Sequence, residues 1–335
     1  DDRVRVDFYE SLDNSAMFWQ VQSIQTFHSI VPGSLMEFYD SIGVQRDVAS
    51  RPDTTHYGLR ALTSVKYLFD NDHDENYFAG EDYASPEMPG WMYYGNANGF
   101  DIWENENYIP MGFTYDHYVT EETYDATSED RRDLLMLKGI VLTEQQIEEW
   151  GDMLTELPAD QVSYTTAAYE ADCADRAALT CDTFQYTSTG FTATISTSRD
   201  VPVFFSIPYE SGWSAYVNGE EVDIERVNVG FMAIRVNAGT DVQIEFVYET
   251  PGLLLGAVIT LVCIILLVLY LLCMRTVEKY RRHVVIVPHN MVVRPLSHYA
   301  KKHKTSFSNN TLIRLKPRHM ADRALEKKEG FTNDD

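Results

Sequence analysis

The run Leu253–Met274, LLLGAVITLVCIILLVLYLLCM, is twenty-two residues long and carries no charge. At about 1.5 Å per residue, a helix of that length reaches across a hydrocarbon layer of about 30 Å. A water-soluble helix is apolar on every side only when it is buried in a large core. The flanks separate the two readings. Glu245 and Glu249 precede the run, whereas Arg275, Lys279, Arg281 and Arg282 follow it. Positive charge next to a span is retained on the cytoplasmic side, so the sequence predicts a membrane helix over 251–274, with 1–252 outside the cell and 275–335 inside.

Charge on the two sides agrees with that orientation. The tail holds 14 Lys+Arg against 6 Asp+Glu, a formal +8, and the first 252 residues hold 45 acidic against 13 basic side chains, a formal −32. So acidic an exterior excludes nucleic acid as its partner and disfavours an anionic lipid surface. The tail motifs RTVEKYRRH and KKHK suit topology and contact with anionic headgroups.

The chain opens DDRVRVDFYE, with neither a basic segment nor an apolar core of the kind that directs export. The expectation is therefore that something upstream placed Asp1 outside: either a removed signal peptide or earlier membrane spans. The exterior is long enough for one or two domains. Aromatic residues make up 13% of the chain, which argues for a packed interior.

Along the chain, VRVDF alternates as a strand does, Ser34–Ser41 predicts a short helix stopped by Gly43, and ALTSVKYLF predicts a strand. In DNDHDEN, Asp70, Asp72 and Asp74 fall at positions one, three and five of a calcium loop and Glu81 at position twelve. Glu75 stands where the sharp turn needs Gly, so a solvated acidic loop is the preferred reading. WMYY and FDIWENENYIPMGFTY predict strands joined by an Asn-x-Asn-Gly turn, with Trp91, Tyr93, Tyr94 and Trp103 as core residues or as platforms for sugar rings. Helices are predicted over 128–137 and 143–150, the second with Thr143 and Gln146 at capping-box spacing. From Thr183 onward, short alternating runs separated by TG, RD, ESG, NG and NAG predict an antiparallel β-sandwich, with Asn218-Gly219 the clearest hairpin turn.

Four cysteines are present. Cys263 and Cys273 lie in the apolar run as inert packing, while Cys173 and Cys181 lie outside it, eight apart, either as a disulfide or as two free thiols. The nine His residues are scattered and build no metal-ligand spacing. GxSxG, HExxH, GxGxxG and a P-loop are absent. Acidic pairs such as Glu104/Glu106 and Asp7/Glu10 would serve a glycosidase-type couple, but among 45 carboxylates chance produces such pairs readily.

Several motifs together resemble one family. They are VFFSIPYESGWSAYVNGEEVDIERVNVGFMAIRVNAG with IEFVYETPGLLLG, FHSIVPGSLMEFYDSIGV, RPDTTHYGLRALTSVKYLFD and WENENYIPMGF, and they resemble the YfhO family of bacterial membrane proteins over residues 1–274. The resemblance implies a polytopic protein of the glycosyltransferase-C type, linked to sugar transfer onto cell-envelope polymers such as lipoteichoic acid from a polyprenyl-phosphate sugar donor. It selects upstream spans over a signal peptide as the missing partner. The catalytic acidic residue of that architecture is expected on an early external loop, so no catalytic residue is assigned in this chain.

The expected organisation is an α+β exterior with a mixed domain over 1–165 and a β-sandwich over 166–250, one membrane helix over 251–274, and a basic tail over 275–335. The expected function is that of the late external domain and closing span of a YfhO-like glycosylation protein; a single-span adhesin and a tethered hydrolase are the alternatives. The family-like motifs nominate Asn14, His28, Arg51, His56, Arg60 and Trp103 as glycan or acceptor contacts, against a purely structural role for each. Gly252, Gly256 and Thr260 fall four apart and predict a small-residue helix face that admits a neighbouring backbone.

Overall fold

A computed structural model describes residues 4–9, 14–25, 30–45, 49–71, 77–79, 85–282, 284–285 and 294–295. His28, the calcium-like positions Asp72, Asp74, Glu75 and Glu81, and nearly all of the basic tail lie outside the described residues. The chain forms two compact units, 1–253 and 254–335.

The first part of unit one is a mixed sheet. In chain order it contains β1 (Arg5–Tyr9), α1 (Ser15–Trp19), β2 (Gln22–Ser23), α2 (Gly33–Ser41), α3 (Tyr57–Leu62), β3 (Val65–Asn71), β4 (Trp91–Ala97) and β5 (Phe100–Asn105), with strands ordered β2-β1-β3-β5-β4. β1 runs parallel to β2 and β3, and β5 pairs antiparallel with β3 and β4. Alternation sends Val6, Phe8, Tyr67 and Phe69 to a face covered by Ala16 of α1. Leu68 and Trp103 share another cluster with Phe78, Met88 and Trp91. The β4–β5 turn follows from its sequence, since Asn98 (φ 57°) and Gly99 (φ 80°) both adopt the left-handed conformation that such a hairpin requires.

The expected strand over ALTSVKYLF is corrected at its start. The chain is helical through Leu62, turns at Ser64 (φ 59°), and becomes extended only from Val65. Tertiary contacts decide this, because the carboxylate of Asp133 accepts the Leu59 N–H and the Arg60 side chain binds carbonyls preceding the helix.

The middle of the unit contains β6 (Phe113–Thr114), β7 (His117–Thr120), α4 (Glu121–Ala126), α5 (Glu129–Lys138), β8 (Ile140–Leu142), α6 (Glu144–Trp150), β9 (Thr155–Glu156) and α7 (Thr166–Ala178). β8, β7 and β9 form a small all-parallel sheet. α6 starts at the expected capping box: Thr143 and Gln146 bond each other's backbone N–H groups at 3.3 and 3.0 Å. α7, which the sequence reading does not predict, is capped by Thr165, whose hydroxyl accepts the Ala168 N–H at 3.2 Å.

The last part is all β: β10 (Thr183–Tyr186), β11 (Gly190–Thr197), β12 (Val201–Pro208), β13 (Trp213–Val217), β14 (Glu220–Val222), β15 (Glu225–Val227), β16 (Phe231–Val236) and β17 (Gly239–Tyr248). One antiparallel sheet has the order β10-β11-β17-β13-β14 and the other β15-β16-β12-β6. Their inner faces share one core, in which Phe191 and Phe246 stack at 4.4 Å against Phe205. The predicted hairpin at Asn218-Gly219 has φ values of 53° and 84°. β6 belongs to the first half of the sequence yet pairs with β12, so the expected junction at 165/166 falls inside one compact unit.

The second unit, from Leu254, is entered through α8 (Leu253–Arg282), which among the described residues is the one helix long and apolar enough to cross a membrane. Thirty residues at about 1.5 Å each exceed the hydrocarbon thickness, so the basic residues from Arg275 onward extend past the apolar stretch. Gly252 (φ 78°) precedes the first helical residue; the small face within the helix is therefore Gly256 and Thr260, whose hydroxyl donates to the Gly256 carbonyl at 2.8 Å.

Candidate functional site

The residues nominated by the RPDTTHYGLR motif converge on an arginine. Arg60 projects from α3 to the centre of β1, where its Nε donates to Asp7 Oδ2 at 2.9 Å. Its other nitrogens donate to the carbonyls of Asp53 (2.6 Å), His56 (3.0 Å) and Pro52 (2.6 Å). Asp7 Oδ1 in turn accepts from Gln25 Nε2 at 2.7 Å and from the Phe8 N–H at 2.9 Å. The loop 52–56 is thus held by its backbone oxygens, and the sequence between β1 and β3 is fastened to the sheet from the inside. A buried ion pair of this kind is sustained by the hydrogen bonds around it, because desolvation otherwise offsets the attraction of the charges.

This geometry sorts the nominated residues. Arg60 is 2% exposed and Trp103 1% exposed, so neither presents a surface to a glycan; Trp103 packs edge-on against Phe78 at 5.2 Å. His56 is also buried, which depresses its tendency to take a proton, and its Nδ1 has no hydrogen-bond partner. Arg51 is exposed, and Asn14 is half-buried at the start of α1, where its side chain makes no capping bond. Beside the motif, Asp133 is fully buried; burial raises its pKa to about 7 although it accepts N–H bonds from Leu134 and Leu59 at 2.9 and 3.0 Å. The motif therefore builds a brace that reaches the surface at Arg51.

Cys173 and Cys181 are free, buried thiols in separate core clusters. No group of three or more His, Cys, Asp or Glu side chains is arranged to hold a metal ion among the described residues.

A cleft of about 890 Å³ opens elsewhere on the unit. One wall carries Lys66 and Tyr67 of β3 with Tyr108 from the segment after β5; the other is β10, an edge strand, and the turn that follows it. The Lys66 ammonium lies 5.4 Å from the Tyr67 ring centre and 5.7 Å from that of Tyr108, and 3.6 Å from a Glu104 carboxylate oxygen. Tyr67 meets the exposed Tyr94 edge to face at 5.7 Å. Sequence reasoning overlooked this cleft because its two walls are far apart in the chain.

A mixed α+β region joined to one apolar helix of membrane-spanning length defines the class of molecule. The profile of the family described as "Bacterial membrane protein YfhO" matches residues 2–172 and 159–260, and the chain belongs to that family. It is also 35% identical over 74 residues to a Bacillus subtilis (strain 168) protein named "Uncharacterized protein YfhO"; the matched segment is 22% of this chain and 8% of that protein. No solved structure matches.

Proposed function

We propose that this chain is the late extracellular domain and closing span of a YfhO-type protein that glycosylates a cell-envelope polymer of the lipoteichoic acid kind. In this reading the sugar arrives on a polyprenyl phosphate, and the catalytic loops lie on membrane segments of the glycosyltransferase-C type outside this sequence. The exterior region contributes acceptor recognition and rigidity. The observation that carries the reading is family membership extending without a break from the mixed domain into the start of the apolar helix. The charge flanks support an exterior placement of 1–252, with Arg275, Lys279, Arg281 and Arg282 retained inside. The Gly256 and Thr260 face suits close approach by another membrane helix, since small residues let backbones pack where lipid gives no hydrophobic drive.

The test is genetic and chemical. Deleting the gene in the producing cell should remove sugar from the envelope polymer, and the intact protein should restore it. Gly256→Leu should restore it poorly. Polymer with unchanged sugar content after deletion would reject the reading in favour of a single-span adhesin.

A further inference from the structure

The cleft between β3 and β10 has the chemistry of a recognition site rather than of a packing defect. Its volume of about 890 Å³ lies in the range of small-ligand sites. Tyr67 and Tyr108 supply aromatic side chains on one side, with the Lys66 ammonium 5.4 and 5.7 Å from their ring centres, and the exposed Thr183, Gln185, Thr187 and Ser188 supply hydroxyl and amide groups on the other. Amphipathic rings opposite neutral hydrogen-bonding groups match a sugar, which presents an apolar C–H face and a rim of hydroxyls.

Charge narrows the ligand further. Lys66 is the cation on the tyrosine wall, and Glu104 stands 3.6 Å from it. Asp182 adds an exposed carboxylate on the opposite side, in an exterior with a formal charge of −32. A phosphate-rich polymer would meet net repulsion here, so the glycosyl units of a polymer fit better than its anionic backbone. The edge of β10 also offers main-chain groups to an added peptide strand, but a peptide strand has less use for two tyrosine rings on the opposite wall.

We infer that this cleft binds a neutral glycan, holding sugar rings against Tyr67 and Tyr108 while Gln185 and Thr187 hydrogen-bond their hydroxyls. The inference deepens the proposed function, on which it rests for the source of the glycan. Exposed Tyr94, beside Tyr67, extends the aromatic surface for a second sugar ring.

Saturation-transfer NMR on the full chain in a non-glycosidic detergent tests it, with glucose and N-acetylglucosamine trisaccharides as probes. Transfer to ring C–H protons is expected from at least one probe, and added salt should leave it unchanged, as for an uncharged ligand. Tyr108→Ala should weaken binding by roughly tenfold, the scale of one lost aromatic contact. Gln185→Ala, at an exposed position with little packing to lose, should weaken it at an unchanged melting temperature. Overturning results are no transfer from either probe, equal binding by parent and both variants, or binding of a glycerol-phosphate oligomer or an extended peptide in place of sugar. If sugar binding fails while gene deletion still strips the polymer, only this inference falls; if deletion has no effect while the cleft binds sugar, only the glycosylation reading falls.

Discussion

Arg60 Nε donates to Asp7 Oδ2 at 2.9 Å with the two side chains 3% and 1% exposed, which makes this ion pair the internal fastening between α3 and β1. Arg60→Met leaves the Asp7 carboxylate buried without its cation and frees the carbonyls of Pro52, Asp53 and His56. Removing one partner of such a pair costs about 3–5 kcal/mol. Chemical denaturation should therefore show a large loss for Arg60→Met, and Asp7→Asn in the same background should recover part of it, because the two changes remove one shared interaction. Strictly additive losses would contradict the brace.

Asp133 sets a pH dependence. Its pKa rises from an ordinary 3.8 to about 7 because burial disfavours the carboxylate. Between those values the folded chain keeps a proton that the unfolded chain has released, so this group's contribution to stability is present at low pH and declines as pH rises from about 4 to about 7. Each unit of difference corresponds to about 1.4 kcal/mol. Asp133→Asn removes the titration but leaves one of the Leu59 and Leu134 N–H groups facing a donor. Melting curves should show the variant well below the parent at pH 5 and closer to it at pH 8; a gap independent of pH would contradict the assignment.

The thiols give a chemical readout. Burial pushes Cys181 up to about 12 and Cys173 higher still, so neither is a thiolate near neutrality. Both should resist maleimide in the folded protein and react after denaturation without any reductant, as peptide mapping would show. A requirement for reductant would establish a bridge between them.

The elements legible in the sequence are those whose cause is local. The turns at Asn98-Gly99 and Asn218-Gly219, the Thr143/Gln146 cap and the uncharged run from Leu253 each carry their instruction in a few adjacent residues. What escaped depends on distant partners. The helical stretch before Ser64 follows from hydrogen bonds to Arg60 and Asp133, and the pairing of β6 with β12 joins Phe113 to Phe204 across the chain. The same limit applied to the site: motif residues such as Arg60 and Trp103 are conspicuous in sequence yet enclosed, while Lys66 and Gln185 are inconspicuous and line one cleft.

Orientation in the membrane is the central claim, because acceptor recognition requires 1–252 to face the envelope. The direct measurement is labelling of intact cells with a membrane-impermeant maleimide, using single-cysteine proteins in which the native cysteines are replaced by serine. Glu122→Cys, at an exposed position on α4, should label in intact cells, and Lys328→Cys in the tail should label only after permeabilisation. Labelling of Lys328→Cys in intact cells, with Glu122→Cys protected, would contradict the account.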